Sequence, residues 1–497
     1  MGELLIGWAE ESLLPHKKIA LAGQFYERVS NAVDTPLTAT AMAVQCDGAR
    51  AIIVSADIGE VQPFLLNLAR AEFAKLNSEV DPQQLIFGAT HTHTSHTFGD
   101  PATNLSISPV LQIINEYMGD TPYQSTATID ESVMTPVEST QLVAKQVAVA
   151  ADKAWRSCKK GYYTNEFGRA PVGMCRRATY DDGSAQMWGD SNTANFVALE
   201  GGNDSGIELL YVYDEQKKLT GIVANLCCPA QILGQRSVIS ADFWGKAKAI
   251  LREKLGEDIY FLPVCGAAGD QCPRDLVRWV TPETPIADPN ITRPNPLKRK
   301  ADPSMYDLSG CQKAGKRIAN EILSVLEEAD APVENAVFRH EVLQVDLPLR
   351  KVTMTEYAAA DKALRELAAL AKTSAFTFAD KAKMYVHAGA VNRFRQQQTQ
   401  ETYPVELHVM RLGDIAWVTC PFELFLDYGN RIKARSYAQQ TFVMQLTCGR
   451  GGYLPTEKAE KGGHYSAYVA SGMVGHEGGD MLTRVLIQHI NRMFEDK

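Results

Sequence analysis

Apolar positions along the chain change their period several times, and each change predicts an element. Ala51-Ile-Ile-Val-Ser55 and Leu85-Ile-Phe87 are short apolar runs of the kind buried strands show. Between them Phe64, Leu65, Leu68, Ala71 and Phe73 recur at helical spacing over residues 61–76. A β-α-β unit of this form sets its two strands side by side. Asp57 and His91 then fall just past strand carboxyl ends, where open α/β sheets hold their ligands. Val143, Val147, Ala150 and Ala154 predict a further helix, with Gly161 as its stop. Residues 207–213 and 219–226 flank a polar turn and predict a hairpin, followed by a helix to Leu255 and a strand over 259–264.

Residues 354–371 and 378–395 read as two helices, 407–412 and 415–420 as a second hairpin, and 442–446 as a strand. Pro421-Phe-Glu423 is expected to open a helix, and residues 481–494 to close the chain as one. Residues 98–135 and 168–202 are polar and predict irregular excursions. About 277–305 is a Pro-rich insertion, with six prolines between Thr281 and Pro303. The expected fold is α/β, mixed β-sheets with flanking helices, as a single domain over residues 1–497.

Composition narrows the function classes. The chain is 45% hydrophobic and 22% charged, as globular proteins are. Its net charge is −9 and its longest basic stretch is Lys298-Arg-Lys300, so no nucleic-acid partner is expected. No apolar run reaches the ~18 residues of a membrane span, and Met1-Gly-Glu-Leu-Leu-Ile has no basic start of a leader, which predicts a cytoplasmic protein without stable membrane insertion. The ten cysteines form no Cys-x-x-Cys pair and are expected to be reduced.

The candidate chemistry centres on Ala89-Thr-His91-Thr-His93-Thr-Ser-His96, which spends three of ten histidines within six residues. Clustering at a strand end points to a metal or acid/base site; buried structural histidines are the plainer alternative. A second strand end carries the small-residue loop Cys265-Gly-Ala-Ala-Gly-Asp270-Gln-Cys272-Pro273, where a backbone approaches a ligand or another strand. Asp270 and Cys272 are its candidate catalytic residues. The pair Arg176-Arg177 is either solvated or returns to the cleft to grip a carboxylate or carbonyl.

Together, Ala89-Thr-His-Thr-His93, Ala268-Gly-Asp270-Gln-Cys-Pro273, Pro421-Phe-Glu423 and the spacing from Tyr453 to Tyr465 resemble the neutral/alkaline non-lysosomal ceramidase family, over most of the chain and in the family's order. That family consists of zinc amidases that cleave an N-acyl bond. The likeness is to its catalytic domain; the family's C-terminal immunoglobulin-like domain is not expected here. The resemblance implies that His91, Glu423 and Tyr465 are zinc ligands and that His93 assists at the active site.

The chain departs from the pattern twice. The family's further histidine ligand falls in Cys227-Cys228-Pro229-Ala230 and is absent, and its active-site serine is Cys272. His96, Cys228 or Asp242 would have to complete a catalytic zinc site, which takes three protein ligands and an open position. Asp242 most simply caps the helix after it, and Glu423 on its own would be a helix-start carboxylate.

The expectation is therefore a zinc-dependent hydrolase with His93, Cys272, Arg176 and Asp270 as catalytic candidates and His91, Glu423, Tyr465, His96 and Asp242 as metal candidates. Its partner would be a small polar substrate with an amide, ester or glycosidic bond, rather than ceramide; a homo-oligomer stays open. Two alternatives remain: a ligand-binding protein without catalysis, and a Cys272-dependent hydrolase or transferase.

Overall fold

In the computed structural model, which describes residues 2–24, 26–102, 109–120, 122, 130–277, 307–373 and 376–495, the expected β-α-β unit is the edge of a larger sheet. Its strands are β1 (Leu5–Ser12), β2 (Thr38–Cys46), β3 (Ala49–Ala56), β4 (Leu85–Ala89), β5 (Lys159–Arg169), β6 (Gly206–Asp214), β7 (Leu219–Leu226) and β8 (Tyr260–Cys265). They lie in the order β8-β7-β6-β5-β1-β2-β3-β4. Only β7/β8 and β3/β4 pair in parallel. β2 is buried on both faces along nearly its whole length.

A second sheet follows the order β9 (Phe338–Pro348), β10 (Thr402–Leu412), β11 (Ile415–Thr419) and β12 (Gln440–Met444), with β11/β12 parallel. The helices are α1 (Pro63–Leu76), α2 (Pro109–Met118), α3 (Pro136–Arg156), α4 (Asp242–Leu255), α5 (Asp307–Glu328), α6 (Met354–Leu370), α7 (Phe378–Gln396), α8 (Leu426–Arg435), α9 (Glu457–Gly462) and α10 (His476–Glu495). Capping boxes start α3 at Thr135/Glu138, α6 at Thr353/Glu356 and α7 at Thr377/Asp380, each satisfying otherwise orphaned backbone N–H groups. α2, α6 and α7 share an apolar cluster of their own, built on Ile114, Leu364 and Val391.

Three β-α-β units, β3-α1-β4, β7-α4-β8 and β11-α8-β12, decide where the chemistry sits. Their strand ends are stitched together by buried amides. Asn225 donates from Nδ2 to Val443 O at 3.0 Å and accepts from Val443 N at 3.2 Å. Gln445 Oε1 accepts from Ala268 N at 3.0 Å and Leu424 N at 2.9 Å, one from each remaining loop. Ala89 N donates to Leu446 O at 3.3 Å, which brings the histidine loop to the same place.

Several expectations need correction. Gly161 does not stop a helix: α3 ends at Arg156 and Gly161 lies within β5. Residues 168–202 are not an irregular loop, since Arg177–Tyr180, Ala185–Met187 and Phe196–Leu199 form a small sheet. α2 falls inside the stretch read as irregular. Glu423 does not open a helix; it lies on the short strand Phe422–Leu424, paired in parallel with Gly452–Leu454. The Pro-rich stretch lies outside the described residues, apart from Val277. Among the described residues no helix is long and apolar enough to cross a membrane. All ten cysteines are free, and every one except Cys158 is buried.

Candidate active site

After β4 the chain turns through His91 at φ 62°, a left-handed conformation costly for a residue with a Cβ and typical of functional turns. Thr90 N and Thr92 N hold that turn by donating to Ala56 O at 3.0 Å and Ile58 O at 3.2 Å. The His91 ring donates from Nδ1 to Gly59 O at 2.5 Å, which fixes the tautomer and turns Nε2 inward. There Nε2 meets Glu423 Oε2 at 3.3 Å and His93 Nε2 at 3.4 Å.

His93 is held through its backbone. Its N–H donates to Ala230 O at 3.2 Å, and its carbonyl accepts from the buried Arg28 Nη2 at 2.7 Å. Gly23, at φ 91°, packs so closely that a Cβ there would lie 2.5 Å from His93 Cγ.

The strand pairing sets Tyr453 opposite Glu423. Tyr453 and Tyr465 pack edge to face with ring centres 5.4 Å apart and share a hydrogen bond. Arg176 Nη2 donates to Gly269 O at 2.8 Å and to Tyr453 Oη at 3.2 Å, and stands 4.0 Å from Glu423 Oε2. His93, Arg176, Tyr453 and Tyr465 line one cavity of about 820 Å³, whose far wall is α6 and α7.

The electrostatics separate the two histidines. Burial alone would lower the His91 pKa, but the Glu423 carboxylate, its hydrogen bond and the Gly59 carbonyl outweigh it, and the net shift is upward. His93 is pushed well below its usual range by burial, by His91 and by the cations of Arg28 and Arg176. Burial would raise Glu423, yet His91, Arg176 and Tyr453 hold it below the usual carboxylate range. Burial and the Glu423 charge lift Tyr465 to about 12.

Four predicted residues do not join this cluster. His96 is fully buried with both ring nitrogens engaged, Nδ1 at Ser139 Oγ (3.0 Å) and Nε2 at Leu13 O (2.8 Å), so it has no nitrogen left for a metal. Asp242 accepts from Leu233 N and Phe243 N, both at 2.8 Å, at the start of α4. Asp270 accepts from Leu426 N at 2.9 Å and so caps α8. Cys272 is inaccessible, donates to Arg274 O at 3.3 Å and is pushed by burial to about 12, the opposite of an activated thiol. Arg177 is also taken, by Glu200 at 2.6 Å and the Tyr465 and Gly463 carbonyls. Asp57 is buried beside Thr38, which donates to it from N at 2.9 Å. Cys228 is buried, with Sγ on the carbonyl of Pro229 at 3.6 Å.

Tyr453, Arg28 and Gly23 are contributors the sequence reading missed. Tyr453 had a signal, since it anchors the spacing to Tyr465; the other two had none.

The donor types around His91 suit a small divalent ion: its Nε2 stands 3.3 Å from Glu423 Oε2, close to the ~3.3–3.4 Å edge of a tetrahedron with ~2.0–2.1 Å bonds. Among the described residues one trio of His, Cys, Asp or Glu, formed by Glu406, His408 and Cys448, brings its ligand atoms within 4.8 Å of one another. Arg70 already fills it, donating to Glu406 at 2.6 and 3.0 Å and reaching Cys448 Sγ at 3.8 Å. That group is a structural ion pair.

No protein-family model matches the chain, and no curated protein matches it by sequence. Solved structures do. The crystal structure of neutral ceramidase from Pseudomonas aeruginosa superposes with a TM-score of 0.67 over 100% of this chain and 75% of that one, at 13% identity. A ceramidase complexed with C2 gives a TM-score of 0.64 over 100% and 76%, at 11% identity. The chain has a ceramidase-like fold, with mixed sheets and flanking helices.

Proposed function

We propose that this chain is a zinc-dependent hydrolase that cleaves the amide or ester bond of a small polar substrate. The observation that carries the reading is the cluster in which His91 meets Glu423 and His93 and Glu423 faces Arg176, with His93 and Arg176 lining a cavity of about 820 Å³. His91, Glu423 and Tyr465 would hold the ion, with no histidine as a fourth ligand, since Pro229 stands where the resembling family has one. Bound zinc supplies polarisation of a carbonyl and a water of lowered pKa.

The protein's own groups do the rest. His93, kept neutral by burial and by the cations around it, accepts a proton from the attacking water and returns it to the leaving group. Arg176, fixed by Gly269 O and Tyr453, offers its guanidinium to the oxyanion as it forms. Cys272 takes no part, because its thiol is buried and protonated.

Metal analysis of protein purified without chelator, with turnover on N-acyl and ester substrates, tests the reading. His91→Ala is expected to lose the metal and about 10²-fold or more in kcat/KM. Metal-free protein whose activity survives that substitution rules the mechanism out.

A further inference from the structure

The cavity contains polar groups that the hydrolytic machinery leaves unused. Gln231 Nε2 and both amide atoms of Gln235 are buried without a hydrogen-bond partner, and both side chains line the cavity that His93 lines. They sit beside that histidine. Ala230 O accepts from His93 N, and a Cβ on Gly234 would lie 3.3 Å from His93 Cβ. Natural proteins rarely leave buried amides unpaired, and such a group in a cleft marks a place where a ligand supplies the partner.

Trp188 lines the same cavity. It is held at φ 57° by its N–H donating to Arg176 O at 2.7 Å, and the Arg274 guanidinium lies 4.6 Å from its ring centre. A bulky residue kept in the left-handed region by the backbone of the candidate oxyanion residue is strained toward a purpose.

Several charged groups of the cavity are already paired within the protein. Arg350 faces Glu460 at 3.7 Å and donates to Ala467 O at 2.7 Å, Lys383 faces Asp380 at 3.6 Å, and Glu356 is engaged in the capping box with Thr353. Nothing among these calls for a charged ligand.

We infer that the substrate carries an uncharged polyhydroxylated ring, a saccharide-type group, bound by Gln231 and Gln235 with Trp188 as its flat apolar platform. This deepens the hydrolase reading and rests on it for the bond that is cleaved. The chemistry is selective. Gln235 presents an unmet donor and an unmet acceptor, and a hydroxyl satisfies either. A carboxylate would leave Oε1 facing another acceptor, an ammonium would leave Nε2 unpaired, and an alkyl chain would leave both unpaired. Rotation of the two amides toward the cavity converts an unpaired state into a paired one on binding.

The test is binding, read by ligand-observed NMR titration of the full chain with N-acetylglucosamine and methyl glucoside, against octanamide as the alkyl-chain control. Saturable binding of both sugars is expected. Gln235→Met, Gln231→Met and Trp188→Ala should each weaken it about tenfold, the loss of one hydrogen bond or stacking contact. Melting curves and circular dichroism check that each variant is folded.

Saturation by octanamide with no sugar binding to the unaltered protein overturns the inference, as does sugar affinity that survives both glutamine substitutions. His91→Ala protein should still bind the sugars. If that variant also keeps full activity, the zinc mechanism falls while the sugar subsite stands.

Discussion

His93 has the properties of a general base only because of residues remote in sequence. Its ring rests on Gly23, its carbonyl is held by Arg28 and its charge is suppressed by His91 and Arg176. Gly23 is needed twice, for a φ of 91° that L side chains rarely adopt and for the space its missing Cβ leaves. Gly23→Ala is therefore expected to cost about 1–2 kcal/mol from the backbone alone. It should also displace the His93 ring, so that kcat falls more than KM rises. Urea unfolding and steady-state kinetics on the same preparation check both effects. The histidine pair was legible because residue type and clustering are local properties. Which of the three histidines points into the cleft was not, because the partners of His96 come from residues 13 and 139.

The elements that carry the site begin and end on buried polar contacts. Asp242 starts α4, where burial raises its pKa from 3.8 to about 6 despite backbone hydrogen bonds from Leu233 and Phe243 that lower it, with Asp34 adding to the rise. Cys311 Sγ is its other neighbour, at 3.9 Å. A carboxyl with a higher pKa when folded binds its proton more tightly in the folded state. Its stabilisation is complete below the unfolded value and is lost as pH rises through the folded one. Stability should thus decline between about pH 4 and pH 7, by at most about 3 kcal/mol at 1.36 kcal/mol per unit. Asp242→Asn should flatten that decline in denaturant titrations across the range; an unchanged slope would remove Asp242 as its source. Helices and hairpins were readable at this scale because each obeys its own period. Glu423 was misread because a three-residue strand has no period to detect, and only pairing with Gly452–Leu454 makes it one.

At the scale of the whole molecule, two sheets become one site through very few side chains. Gln445 is the clearest: its carbonyl oxygen accepts the backbone N–H groups of Ala268, after β8, and Leu424, beside Glu423, while its Nε2 reaches Cys265 Sγ at 3.3 Å. Gln445→Leu would leave two buried N–H groups unpaired. A loss of about 2–6 kcal/mol is expected, since each such group costs ~1–3 kcal/mol. Activity should fall further than stability accounts for, because Glu423 loses its backbone anchor. Chemical denaturation alongside kcat/KM well below the melting temperature separates the two, and an effect on stability alone would limit Gln445 to the scaffold.

By itself the sequence determined much of the alternation of strands and helices, the first β-α-β unit and the placement of His91 and His93 at a strand end. Periodicity and clustering are written in adjacent residues, and they survive whatever the rest of the chain does. Only the tertiary structure decided that Glu423 and Tyr453 face each other across a strand pair, that Arg176 enters the site while Arg177 is consumed by Glu200, and that His96, Asp242, Asp270 and Cys272 are bound up in the scaffold. Those outcomes depend on which hydrogen-bond partner the closed sheets set against each polar group, and the partners lie up to hundreds of residues away.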